Sequence, residues 1–272
     1  MDFMTKLRTA RSANNSLLCV GLDPVLSKLP AHIASQPEPF FTFNKAIIDT
    51  TADLVCAYKP NSAFYEAAGP EGILQLQKTV EYINQNYPNV PVILDSKRAD
   101  IGNTNDFYVT HTFDYLKADA VTVHPYLGRE ALAPFLARKD KGIIVLCRTS
   151  NPGAGEFQDL LVDGKPLYEH VAEAIATSWN VNGNCMLVVG ATYPEEIKKV
   201  REIVGPDITF LIPGIGAQGG DLQKTIQASG ENIIINSSRG IIYASEGGDF
   251  AETARGEALQ LRDEINKCRQ DF

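Results

Sequence analysis

A single closed (β/α)8 barrel is the α/β fold class that this sequence predicts, on three observations. Eight apolar runs alternate with segments of helical spacing along 272 residues. The runs are almost continuously hydrophobic, as in strands buried on both faces of a parallel sheet. No linker, charge run or low-complexity stretch divides the chain, and α/β barrels reach this length as one domain. The alternative, an open doubly wound sheet, would leave two edge strands to protect. The expected domain is one barrel over 1–272, preceded at about 1–12 by a short amphipathic helix carrying Phe3, Leu7 and Ala10.

The eight runs are SLLCVGLD, LVCAYKP, PVILDSK, AVTVHP, GIIVLCRTS, CMLVVG, TFLIPGIG and NIIINSS. Between the second and third, Ile73, Leu76, Val80 and Ile83 fall on one helical face. YPEEIKKVREIVG adds Pro194 and two glutamates at its start and Gly205 at its end, the signals of helix entry and exit. In the last segment Phe250, Ala254, Ala258, Leu261 and Ile265 trace a stripe that Gly256 interrupts, at about 1 kcal/mol relative to Ala. The longest irregular stretch, 24–39, follows the first strand and is expected over the barrel mouth.

Composition excludes several classes. With 44% hydrophobic and 21% charged residues, the chain has material for a large core. A net charge of −8 and a pI near 5.1 argue against a nucleic-acid surface, which needs a basic field. The five cysteines form no CxxC, and four lie inside the apolar runs, so reduced, buried thiols and a cytoplasmic location are expected. The N-terminus has no apolar signal region, and no run approaches the roughly 18 apolar residues of a membrane span. Arg8 and Arg11 read as solvated surface.

The polar residues fall where a barrel keeps its chemistry, at the ends of strands. The first run ends in Asp23, the second in Lys59, the third in Asp95 and Lys97. Strand alternation puts Asp95 and Lys97 on one face and Ser96 on the other. They fit either a structural ion pair plugging the barrel or an acid and a base held over its mouth. Asp100 favours the second. Two carboxylates at 4 Å repel by about 4 kcal/mol at an effective dielectric of 20, an expensive arrangement without a use. A lysine beside both is favoured in its charged form, a fixed proton donor.

The seventh loop, PGIGAQGGD, carries four glycines before a predicted helix. Glycines let backbone N–H groups approach an anion, and a helix N-terminus adds partial positive charge. Arg239, in SSRG after the eighth run, can pair with phosphate in bidentate fashion. Glycine turns alone are common in barrels; with Arg239 in the next loop they point to phosphate. His124 fits a metal ligand, a general base or a packed, hydrogen-bonded strand-end residue. The four histidines show no ligand spacing, so zinc is not expected. Lys97 between Asp95 and Asp100 opposes Mg²⁺.

VILDSKRADIGNT resembles the D-x-K-x-x-D-I-x-N-T signature of the orotidine 5′-phosphate decarboxylases. GLDP, YKP, RTSNPG, PGIGAQGGD and SRG, in that order, resemble the longer bacterial branch of that family over essentially the whole chain. The resemblance implies metal-free decarboxylation of orotidine 5′-monophosphate to uridine 5′-monophosphate and CO2, the last step of de novo UMP synthesis. It implies no cofactor and a homodimer with shared active sites. Lys97 would protonate C6 of the pyrimidine, Asp95 would sit beside the substrate carboxylate, and Asp100, Ile101 and Thr104 would enter from the neighbouring subunit. Lys59 and Asp23 would contact ribose hydroxyls, and Ser150 the pyrimidine. Gln218 would bridge pyrimidine and phosphate on a closing lid, and Arg239 would bind the phosphate. Tyr58 in YKP replaces a usual small apolar residue and reads as a packing variation. Two other functions compete: a Mg²⁺-dependent sugar-phosphate aldolase or decarboxylase of the same barrel superfamily, and a non-catalytic protein that binds a phosphorylated ligand.

Overall fold

The computed structural model describes residues 1–215 and 221–270. All eight apolar runs become parallel strands: β1 (Leu18–Gly21), β2 (Ala57–Lys59), β3 (Ile93–Arg98), β4 (Ala120–Val123), β5 (Gly142–Arg148), β6 (Cys185–Val189), β7 (Phe210–Pro213) and β8 (Ile233–Ser237). They pair in the order β2-β1-β8-β7-β6-β5-β4-β3. Two single bridges, Tyr58 with Val92 and Asn61 with Asp95, join β2 to β3 and close the ring. The open-sheet alternative is excluded.

Each strand sends side chains inward at every second position. The lower inward layer takes one apolar residue from each strand: Cys19, Ala57, Ile93, Ala120, Ile144, Met186, Leu211 and Ile234. Two residues further along, the layer at the mouth changes character. Lys59, Asp95, Thr122 and Asn236 are its buried polar members, while Val188 and Pro213 keep the opposite side apolar. A second, larger core fills the annulus between the strands and the surrounding helices.

The helix before β1, Phe3–Asn14, closes the bottom of the barrel. Phe3 and Leu7 are buried and join the lower inward layer. Gly142 makes this approach possible, because a Cβ there would lie 2.4 Å from the Phe3 ring. Lys6 pairs with Asp119 at 2.8 Å, anchoring the helix to the start of β4. Arg11 departs from the solvated surface expected of it: its guanidinium donates to Asn232 Oδ1 at 2.9 Å and to the Ile233 carbonyl at 2.6 Å. Helical spacing alone does not separate an arginine facing water from one facing strand ends.

The outer helices follow their patterns. Helix Gly69–Asn86 buries Leu76, Val80 and Ile83. Helix Pro194–Val204 opens on Pro194 and stops at Gly205, whose φ of 74° suits glycine. Helix Phe250–Arg269 runs unbroken through Gly256 because Phe250, Ala254, Ala258 and Ile265 bury its inner face. Tyr58 pins β2 to helix Pro39–Thr51, meeting Thr51 Oγ1 at 2.8 Å and donating to the Ile48 carbonyl at 3.2 Å. A small antiparallel hairpin, Leu161–Val162 with Lys165–Pro166, was not expected; strands of two residues are too short to show alternation.

Phe3→Ala is expected to cost about 3–5 kcal/mol, read as a lower urea midpoint at unchanged slope. An unchanged midpoint would mean that the helix does not contribute to the barrel floor.

Candidate active site

The site begins with Asp95, which β3 brings to the mouth almost fully buried. Its two oxygens receive two different ammonium groups. Lys59 Nζ lies 2.8 Å from Oδ2, and Lys97 Nζ lies 2.6 Å from Oδ1. Thr122 Oγ1 donates to Oδ1 at 2.8 Å, and Asn61 Nδ2 stands 3.5 Å from Oδ2. Burial by itself would raise the Asp95 pKa; Lys59 and Lys97 outweigh it and hold the carboxyl well below the usual range. For Lys59, burial would lower the pKa, and Asp95 and Asp23 reverse that, so the ammonium is held above its ordinary value.

Exposure separates the two lysines. The Lys59 side chain is 5% exposed and that of Lys97 is 47% exposed. Lys59 is thus a buried counter-charge, and Lys97 an ammonium that faces the cavity. Lys97 reaches this position through an irregular strand end: its φ is 48°, and the register of β3 against β4 shifts between Leu94 and Arg98. Asp95 and Lys97 do converge, as alternation suggested, but across a bulge rather than along a regular pleat.

Asp23 lies beyond β1, where its Oδ1 accepts from the Asn61 N–H at 3.1 Å and its Oδ2 from Ser238 at 2.7 Å. Among the described residues, Asp23, Lys59, Asp95, Lys97 and Arg239 line one cavity of about 660 Å³. That is ample for a nucleotide-sized ligand. Arg239 is exposed at the start of the short helix Arg239–Ile242 that follows β8.

The other expected residues lie elsewhere. Ser150 follows β5 beside Gly190, where a Cβ would come within 2.6 Å of the Ser150 Cβ. Asp100, Ile101 and Thr104 sit at the entry to helix Gly102–Val109, outside the lining of their own chain's cavity. Asp100 Oδ1 accepts from the Ile101 N–H at 2.6 Å, and Ile101 is 62% exposed. Gln218 lies outside the described residues. The helix after β7 is capped by Asp221, which accepts from the Lys224 N–H at 3.1 Å. The glycine loop expected to approach an anion, PGIGAQGGD, lies mostly outside the described residues. His124 is half-buried just beyond β4 and does not line the cavity.

Sequence reasoning passed over four residues here. Asn61 and Thr122 were detectable, being two positions beyond Lys59 and Ala120 on the inward face. Ser238 lay in the quoted SSRG. Arg148 is the fourth: it ends β5 buried, 3.1 Å from Asp159, with its guanidinium 4.9 Å over the Tyr193 ring. Gln158 Oε1 accepts from the Thr149 N–H at 2.8 Å, so the segment leading to Ser150 is tied down. An arginine closing a buried apolar run was the available signal.

A parallel barrel with a lysine–aspartate–lysine array at its mouth, and an arginine lining the same cavity, defines a barrel whose cationic site suits an anionic small molecule. The chain belongs to the orotidine 5′-phosphate decarboxylase / HUMPS family, which it matches over residues 16–254. It is 54% identical to the orotidine 5′-phosphate decarboxylase of Cupriavidus metallidurans, covering 99% of each chain. It is 52% identical to that of Azoarcus sp., covering 99% of this chain and 100% of the relative. The structure of Leishmania donovani OMP decarboxylase is similar with a TM-score of 0.86 at 39% identity, covering 99% of both chains.

Asp95→Asn leaves Lys59 buried without its main counter-charge and is expected to cost about 3–5 kcal/mol at neutral pH. Because the folded pKa of Asp95 is depressed, its contribution is complete above the ordinary carboxylate value and is lost as pH falls towards the depressed one. The gap between wild type and Asp95→Asn in denaturant melts therefore narrows below about pH 4. A gap that stays constant through that range would contradict the assignment.

Proposed function

We propose that this protein removes CO2 from orotidine 5′-monophosphate to give uridine 5′-monophosphate, closing de novo UMP synthesis. The observation that carries this reading is the Lys59–Asp95–Lys97 array, in which one ammonium is buried and the other faces the cavity. When the C6–carboxylate bond breaks, its electron pair stays on C6 in the plane of the pyrimidine, outside the π-system. Neutral CO2 leaves. The Lys97 ammonium stabilises that pair and then transfers a proton to C6, and solvent restores the lysine. Asp95 places like charge against the substrate carboxylate, a repulsion that ends when CO2 departs.

Asp23 and Lys59 hold the ribose hydroxyls, and Ser150 reads the pyrimidine edge. Arg239 and Gln218 take the phosphate, whose remote binding energy is used in positioning and closure. No cofactor enters this scheme. Both Asp95 oxygens already face ammonium groups, which leaves that carboxylate ill-suited to Mg²⁺ and disfavours the aldolase reading. A protein that only bound a phosphorylated ligand would have no use for a lysine presented in this way.

The protein acts as a homodimer. Ile101, Phe107, Tyr126 and Leu127 are exposed apolar residues on the segments after β3 and β4. A second copy covering this face would bring its Asp100, Ile101 and Thr104 to the neighbouring cavity. The cytoplasm is the compartment this reading implies: the five cysteines are free, and no helix among the described residues is long and apolar enough to cross a membrane.

Purified protein in EDTA is expected to bleach the orotate absorbance of orotidine 5′-monophosphate, whereas Lys97→Ala is not. Wild type inert without Mg²⁺ but active on a sugar phosphate with it would overturn the reading. The shared site has its own test. Lys97→Ala and Asp100→Ala dimers, each inactive, are mixed and allowed to exchange subunits. Half of random dimers are mixed, and each mixed dimer has one intact site of two, so about a quarter of wild-type activity returns. No recovery despite exchange would place Asp100 in its own chain's site.

A further inference from the structure

We infer that Thr122 is a positioning residue for proton delivery, its hydroxyl tying the Lys97 backbone to the Asp95 carboxylate and so fixing where the Lys97 ammonium stands. This deepens the decarboxylase reading and rests on it. Thr122 Oγ1 accepts a hydrogen bond from the Lys97 N–H at 3.0 Å and lies 2.8 Å from Asp95 Oδ1. An ionised carboxylate only accepts, so the hydroxyl hydrogen goes to Oδ1. The same Oδ1 receives Lys97 Nζ at 2.6 Å. Three hydrogen bonds and the Lys97 side chain therefore close a ring.

The local backbone explains why a hydroxyl is needed. In β3 the N–H of Asp95, in phase with Lys97, turns towards β2 and donates to the Pro60 carbonyl at 2.9 Å, but beyond it the register between β3 and β4 shifts between Leu94 and Arg98. Lys97 sits within that shift at a φ of 48°, a conformation that residues other than glycine rarely hold without support. Within the shift the Lys97 N–H turns to β4 and finds its acceptor in the Thr122 side chain. Thr122 is 1% exposed, and its branched Cβ restricts χ1, so the hydroxyl has little freedom to turn away. Valine would fill the same space two positions above Ala120 in the inward layer. Hydrogen bonding, not volume, distinguishes threonine here.

Thr122→Val removes the hydroxyl at constant shape, Thr122→Ala removes it by shrinking the side chain, and Thr122→Ser keeps it. Each is assayed below its melting temperature for kcat on orotidine 5′-monophosphate and for affinity for uridine 5′-monophosphate. Exchange of the product's C6 proton for deuterium in D2O, read by NMR, follows the lysine step without decarboxylation. Thr122→Val and Thr122→Ala are expected to lower kcat and C6 exchange together by about 10- to 100-fold while product affinity holds. Thr122→Ser is expected to stay near wild type. Thr122→Val turning over at the wild-type rate would overturn the proposal, as would equal losses in the valine and serine variants or a loss confined to product affinity. Wild type inert on orotidine 5′-monophosphate would sink the decarboxylase reading and this inference together; an active wild type with an indifferent Thr122→Val sinks this inference alone.

Discussion

The site depends on a single buried carboxylate shared by two lysines. Asp95 alone would be costly at the end of an apolar strand, and so would Lys59. Together with Lys97 they form an array of net charge +1, in which the buried ammonium and the carboxylate largely cancel. The surplus charge stands at the more exposed end, on Lys97. The attractions act in series: the Lys59 charge keeps Asp95 ionised against its burial, and ionised Asp95 holds Lys97 in place.

The barrel supplies the frame for this array at its weakest seam. Between β2 and β3 only two isolated bridges close the ring, and one of them joins Asn61 to Asp95. The main-chain ladder is sparse here, and side chains make part of the connection. Lys59 reaches Asp95 across the seam, and Asp23 accepts from the Asn61 N–H. Beneath lies the apolar layer closed by Phe3 and Leu7, which gives the charged layer a buried apolar base. On the far side, Val188 and Pro213 leave an apolar wall against which a flat ring can rest.

Much of this was legible because barrel strands buried on both faces leave long apolar runs, and because charge at the end of such a run is conspicuous. Asp95 and Lys97 could be paired from strand alternation, whereas Lys59, on the neighbouring strand, joined them only through the family resemblance. The residues that escaped notice act across long separations or against local expectation. Arg11 looked solvated because its partners, Asn232 and Ile233, lie at the other end of the chain. Asp221, quoted only as the end of a glycine loop, caps the helix that follows it. Thr122 was invisible as a partner of Lys97, since no pattern in β3 announces a bulge that turns the Lys97 N–H to a side chain of β4.

The most direct test is the ionisation of Asp95 itself, followed by ¹³C NMR of the aspartate carboxyls, with its resonance assigned by loss in Asp95→Asn. On acidification the Asp95 signal is expected to stay at its ionised position while solvent-exposed aspartates titrate near about pH 4. An Asp95 resonance that inflects with the exposed aspartates would mean that Lys59 and Lys97 do not hold it ionised, contradicting the array on which the whole account stands.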